Sequence, residues 1–103
     1  MYNRRVSISA IALSLVVLTS NGVKAADIEA GRIKSTQCAI CHGDEGKGNG
    51  APKSCIAGMD KEEFIKHLQD FKKGIRKNVW MERFARKLSD KDIENLAAYY
   101  ATK

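Results

Sequence analysis

Two thiols and an imidazole stand together in Cys38-Ala39-Ile40-Cys41-His42, and no other short segment of the sequence gathers as much potential chemistry. Two intervening residues let both sulfurs reach two points on one side of a flat ligand, and the next residue then lies under its centre. This is the pattern for attaching a porphyrin, with each cysteine adding across a vinyl group and the histidine ligating iron on one face. A cysteine pair has two other uses. A thioredoxin-like dithiol expects a surrounding βαβ pattern, but the flanks here are helical and glycine-rich. A structural zinc site wants four ligands, and the remaining candidates, Cys55 and His67, do not form a second knuckle. Cys38, Cys41 and Cys55 make an odd count, which argues against a disulfide framework.

Three helical segments have to position this motif. The first is expected from about Ile28 to Thr36, with Asp27 as N-cap and Cys38 to His42 at its end. From Gly43 to Gly58, glycines and Pro52 forbid a regular helix and indicate a loop of turns able to wrap a flat object. Asp60 caps a second helix, Glu62 and Glu63 suit its first turn, and Phe64, Leu68 and Phe71 form its apolar face before Gly74 ends it. Residues 74–78 read as a turn, followed by a short helix from Met81 to Leu88. Ser89 and Asp92 make a capping box for the last helix, whose inward stripe is Ile93, Leu96, Ala97 and Tyr100.

The first quarter of the 103 residues reads differently. Arg4 and Arg5 precede an apolar run from Val6 to Thr19, too short to span a bilayer, and Val23-Lys24-Ala25 places small residues where a signal peptidase cuts. Residues 1–25 are therefore expected to be a cleaved signal peptide and residues 26–103 one exported domain. Without Arg4, Arg5 and Lys24, 15 of the 18 basic residues face all 12 acidic ones, so the formal +6 falls to +3. Nothing resembles the dense basic stripe of a nucleic-acid binder. So small a domain also calls for a staple beyond its side-chain core.

With these residues in view, residues 26–103 resemble the small bacterial class I cytochromes c over nearly their whole length. The resemblance rests on Cys38 to Gly43, Ile56-Ala57-Gly58, Asp70 to Arg76, Asn78-Val79-Trp80-Met81, Leu88 to Ile93 and Leu96 to Tyr100. It implies an all-α class I cytochrome c fold of three to five helices around one covalent haem c. The N- and C-terminal helices would cross, with Gly31 permitting close approach and Tyr99 or Tyr100 meeting it. The axial iron ligands would be His42 and a methionine, whose soft, neutral thioether raises the reduction potential. Met59 and Met81 are the candidates, and Met81 is preferred because it sits in the family's Asn-x-x-Met block. Many relatives hold the histidine ring N–H with the proline carbonyl of a Pro-x-Leu-Ala-Gly segment. Here Ser54-Cys55-Ile56-Ala57-Gly58 stands instead, with Pro52 two positions early, and the carbonyl serving His42 is left open.

The expected function is a periplasmic single-electron carrier with transient redox donors and acceptors, no nucleic acid, and contact with membranes only through partner complexes. The alternative is the cytochrome subunit of a larger periplasmic redox enzyme such as a flavocytochrome sulfide dehydrogenase. A third reading, an enzyme or gas sensor with five-coordinate iron, fails if Met81 binds. Cys55 is expected as a small buried apolar filler, His67 as a surface or boundary histidine, and Trp80 as core packing before haem wall or propionate donor. Lys72, Lys73, Arg76 and Lys77 are expected on a solvated face, with partner docking second.

Overall fold

The computed structural model describes residues 25–103, so the expected signal peptide up to Lys24 lies outside the described residues. Five α-helices follow in order: α1 (Ile28–Lys34), α2 (Thr36–His42), α3 (Lys61–Lys72), α4 (Val79–Arg86) and α5 (Asp90–Ala101), with a 3-10 turn at Asp44–Gly46. Among the described residues there is no strand, and no helix is long and apolar enough to cross a membrane.

Every helix except α2 starts on a side-chain cap. Asp27 accepts from the Ala30 N–H at 3.0 Å, Asp60 from Glu63 at 3.2 Å, and Asn78 from both Trp80 and Met81 at 3.1 and 3.0 Å. Ser89 and Asp92 complete the capping box, bonding each other's backbone N–H at 3.0 and 2.9 Å.

The expected first helix is divided. It bends at Ser35 and resumes as α2, so the Cys38 to His42 motif is helical instead of trailing a helix end. The hydroxyls of Ser35 and Thr36 bond back to the carbonyls of Arg32 and Ile33, at 2.6 and 2.7 Å, which competes with the helix ladder and bends it. The fourth helix runs Val79–Arg86, two residues ahead of the expected Met81 to Leu88, because the Asn78 cap starts it earlier.

The core is Phe64, Leu68 and Phe71 from α3, Ala85 and Leu88 from the α4 end, and Ile93, Leu96, Ala97, Tyr99 and Tyr100 from α5. Helix α1 crosses α5, and α3 packs against α4 and α5. The crossing depends on Gly31, where a Cβ would overlap the Asn95 carbonyl oxygen and come within 3.0 Å of the Tyr99 Cβ. Tyr99 and the Asn95 backbone thus meet Gly31. Tyr100 turns the other way, toward Gly46 and Ile56. Asn95, only 7% exposed, tethers the start of α1 by accepting the Asp27 N–H at 2.8 Å.

Candidate haem site

The helices enclose a cavity of about 980 Å³ lined by Cys38, Cys41 and His42 from α2, the 49–56 loop, one face of α3, and Trp80, Met81, Phe84 and Ala85 from α4. Its volume lies at the upper end of the range of about 300–1,000 Å³ usual for cofactor sites. Phe64, Leu68, Phe71, Phe84 and Leu88 make much of the wall apolar.

Residues distant in sequence meet at this cavity. The α2 helix delivers both cysteines and His42 on one side, and Asn78 caps the turn that presents Met81. His42 is anchored by its Nδ1, which stands 2.7 Å from the Ser54 carbonyl oxygen. A carbonyl only accepts, so Nδ1 carries the proton and Nε2 keeps its lone pair for a metal. The carbonyl that the sequence left unassigned is therefore that of Ser54, the residue standing in place of the family's proline. Its hydroxyl braces the loop, donating to Ala51 O at 2.7 Å and accepting from Asn49 N at 3.2 Å.

Burial pushes the Cys38 thiol above its ordinary value, with a hydrogen bond to the Tyr100 side chain opposing. Burial likewise pushes the Tyr100 hydroxyl up, and Cys38 beside it adds to the shift. Among the described residues no three His, Cys, Asp or Glu side chains group as a metal cluster would require, so the zinc reading lacks its further ligands.

Two expectations are corrected. Cys55 is exposed at the cavity wall and is not a buried filler, because Ser54, 8% exposed, takes the inward position and turns its neighbour outward. Trp80 is 63% exposed and is not core packing; it stands at the cavity wall with the Arg83 guanidinium over its ring at 5.5 Å.

His67 is a boundary residue, as expected, but it also reaches the cavity. Its Nδ1 accepts from Arg76 at 2.9 Å, its Nε2 lies 3.3 Å from Glu63, and the Arg76 guanidinium stacks on Phe71 at 4.8 Å. Nothing in the spacing of His67 and Arg76 announces this contact between α3 and the turn after it. The basic cluster is only partly solvated, since Lys72 donates to Leu88 O at 2.6 Å and Arg76 is committed to His67.

Met59 and Met81 both line the cavity and both pack against the core. The donor set fits haem c: two thiols on one helix, an oriented imidazole, a thioether on a capped helix, and an apolar wall.

Comparison with known proteins agrees with this geometry. A family model described as cytochrome C oxidase, cbb3-type, subunit III, matches residues 25–99. Cytochrome c-553 of Helicobacter pylori is 41% identical over 88 residues, covering 84% of this chain and 88% of that protein. Cytochrome c4 of Pseudomonas aeruginosa is 33% identical over 85 residues, 82% of this chain but 42% of that one. The solved structure of Acidithiobacillus ferrooxidans cytochrome c4, reported to support a complex-induced tuning of electron transfer, matches with a TM-score of 0.71 and 29% identity, over 82% of this chain and 54% of that chain. The chain thus spans most of a cytochrome c-553 and about half of the cytochromes c4 it matches. It belongs to the cytochrome c family, as a small all-α class I c-type cytochrome, an electron-transfer protein with covalently bound haem c.

Proposed function

We propose that Cys38 and Cys41 carry the haem through two thioether bonds, that His42 and Met81 are its axial iron ligands, and that the protein is a periplasmic carrier of single electrons exported by residues 1–25. Each thiol would add its sulfur and hydrogen across one vinyl double bond. When bound, haem c supplies a one-electron iron couple. The protein's own residues then decide how that couple behaves.

The observation that carries the reading is the 2.7 Å contact from His42 Nδ1 to Ser54 O, which leaves Nε2 as the only ring nitrogen able to meet iron. A second neutral donor from Met81 would fill the opposite position and leave no place for a substrate. The thioether and the apolar wall both disfavour the more charged ferric state, which raises the potential. Redox donors and acceptors are the partners that such a carrier serves.

The axial assignment is tested by absorption spectra of the oxidised protein. Met81→Ala should abolish the weak far-red band of a methionine–iron bond, and Met59→Ala should keep it. The reverse pattern would transfer the ligand role to Met59.

A further inference from the structure

The sequence holds two histidines, and both line the cavity. His42 is taken up by the iron; His67, on the α3 wall, is not. Its side chain is 35% exposed, so it meets solvent as well as the cavity.

The hydrogen bonds around His67 fix where its proton sits. A guanidinium only donates, so the 2.9 Å contact from Arg76 leaves Nδ1 without a proton. Nε2 then carries the ring proton and donates it to Glu63 Oε1 at 3.3 Å. The imidazole in this arrangement is neutral, and a second proton can reach Nδ1 only by displacing the Arg76 N–H. Arg76 does not depend on that bond for its place. Its guanidinium stacks on Phe71 at 4.8 Å, and its backbone N–H donates to Asp70 O at 3.1 Å. Protonation of His67 therefore leaves the guanidinium beside the cavity and adds one positive charge to it.

The surrounding charges are balanced around this site. From α3, Glu63 touches the ring, and Asp70, whose carboxyl is held below its ordinary value chiefly by Lys66, also feels His67; both favour the added proton. Arg76 from the turn and Lys53 from the facing loop oppose it. The α2 helix faces the cavity with Cys38, Cys41 and His42, while α4 contributes no charged side chain to it. Much of the wall between is apolar, so a new charge on it is weakly screened from whatever fills the cavity.

We propose that His67 is a proton-linked positioning residue of the electron-transfer reaction: neutral, it holds the Arg76 guanidinium at the cavity wall, and it takes up a proton when the iron is reduced. The proposal rests on the haem reading above. In the coupled step one electron enters the ferric iron and one proton passes from solvent to His67 Nδ1, where it replaces the Arg76 hydrogen bond. A positive charge beside the iron favours the less charged ferrous state, so the midpoint potential falls as pH rises and the proton is lost.

The test is spectroelectrochemical titration of the holo-protein between pH 5 and pH 8, the range in which histidine changes charge. The wild-type electron equilibrium should shift toward the oxidised form by at least about threefold across that range, which is about 28 mV at 59 mV per tenfold. His67→Gln keeps an acceptor for Arg76 but cannot titrate, so it should keep the haem spectrum and lose at least half of the shift. A smaller wild-type shift, or a variant that retains more than half of it, would overturn the proposal and leave the haem reading intact. Proton resonances of the His67 ring decide the matter in the wild-type protein even where the variant does not fold. They should titrate at higher pH in the reduced than in the oxidised protein, and coincident titrations would overturn the coupling. Purified wild-type protein without haem absorption would overturn the haem reading first, and this one with it.

Discussion

Replacing Gly31 with alanine tests the crossing on which the fold hangs. In a free helix the change is favourable by about 1 kcal/mol, because alanine is the better helix former. Here the added methyl would overlap the Asn95 carbonyl oxygen, lie 2.7 Å from the Asn95 carbonyl carbon and crowd the Tyr99 Cβ. The obstacle is mostly backbone and cannot rotate away, so α1 must lift off α5. Overpacking of this kind costs up to about 3 kcal/mol. Lifting α1 also strains the hydrogen bond from Asp27 N to Asn95 Oδ1, worth about 1 kcal/mol. The net loss is about 3 kcal/mol, which in a domain this small lowers the Tm by roughly 12–24 °C. Thermal unfolding of the holo-protein followed by far-ultraviolet circular dichroism measures it. An unchanged or raised Tm would refute the close-packed crossing and leave only the helix-propensity gain.

Three further outcomes follow from the caps and the loop. Asn78→Ala removes the acceptor for the N–H groups of Trp80 and Met81, so it should cost about 1 kcal/mol and make the methionine–iron band disappear at a lower temperature than in the wild type. The Asp92 carboxyl is held below its ordinary value chiefly by the Ser89 backbone N–H, with Lys34 assisting. Its contribution is complete above the unfolded value of about 4 and is lost as pH falls through the lower folded value, so Asp92→Asn should flatten the acid limb of urea midpoints measured against pH. Ser54→Ala removes the hydroxyl bonds to Ala51 O and Asn49 N but keeps the carbonyl that orients His42. Stability in urea should fall by about 1–3 kcal/mol with the haem spectrum retained, and a changed spectrum would mean that the hydroxyl also positions the ring.

Local signals in the sequence were legible wherever one residue decides the outcome. Asp27, Asp60 and Ser89 cap helices because a short oxygen-bearing side chain in front of an apolar repeat has few other uses. The stripe of Ile93, Leu96, Ala97 and Tyr100 is buried as its spacing requires. What stayed hidden depends on contacts between distant segments or on loop conformation. In the 49–56 loop no period tells inside from outside, so nothing in the sequence turned Ser54 inward and Cys55 outward. The bend at Ser35 needs two adjacent hydroxyls to choose backbone partners over water. Asn95 looks like a polar interruption of an apolar stripe until the Asp27 N–H arrives from the other end of the domain. Trp80 looks like core by type, and only its place at the cavity wall says otherwise.

The central claim concerns where the haem is attached, and intact mass with thiol counting tests it most directly. The purified, denatured protein should carry the mass of one haem on a chain beginning at Ala26. Alkylation should then modify one thiol, Cys55, because Cys38 and Cys41 are consumed. Three modified thiols on a chain without added haem would contradict the account.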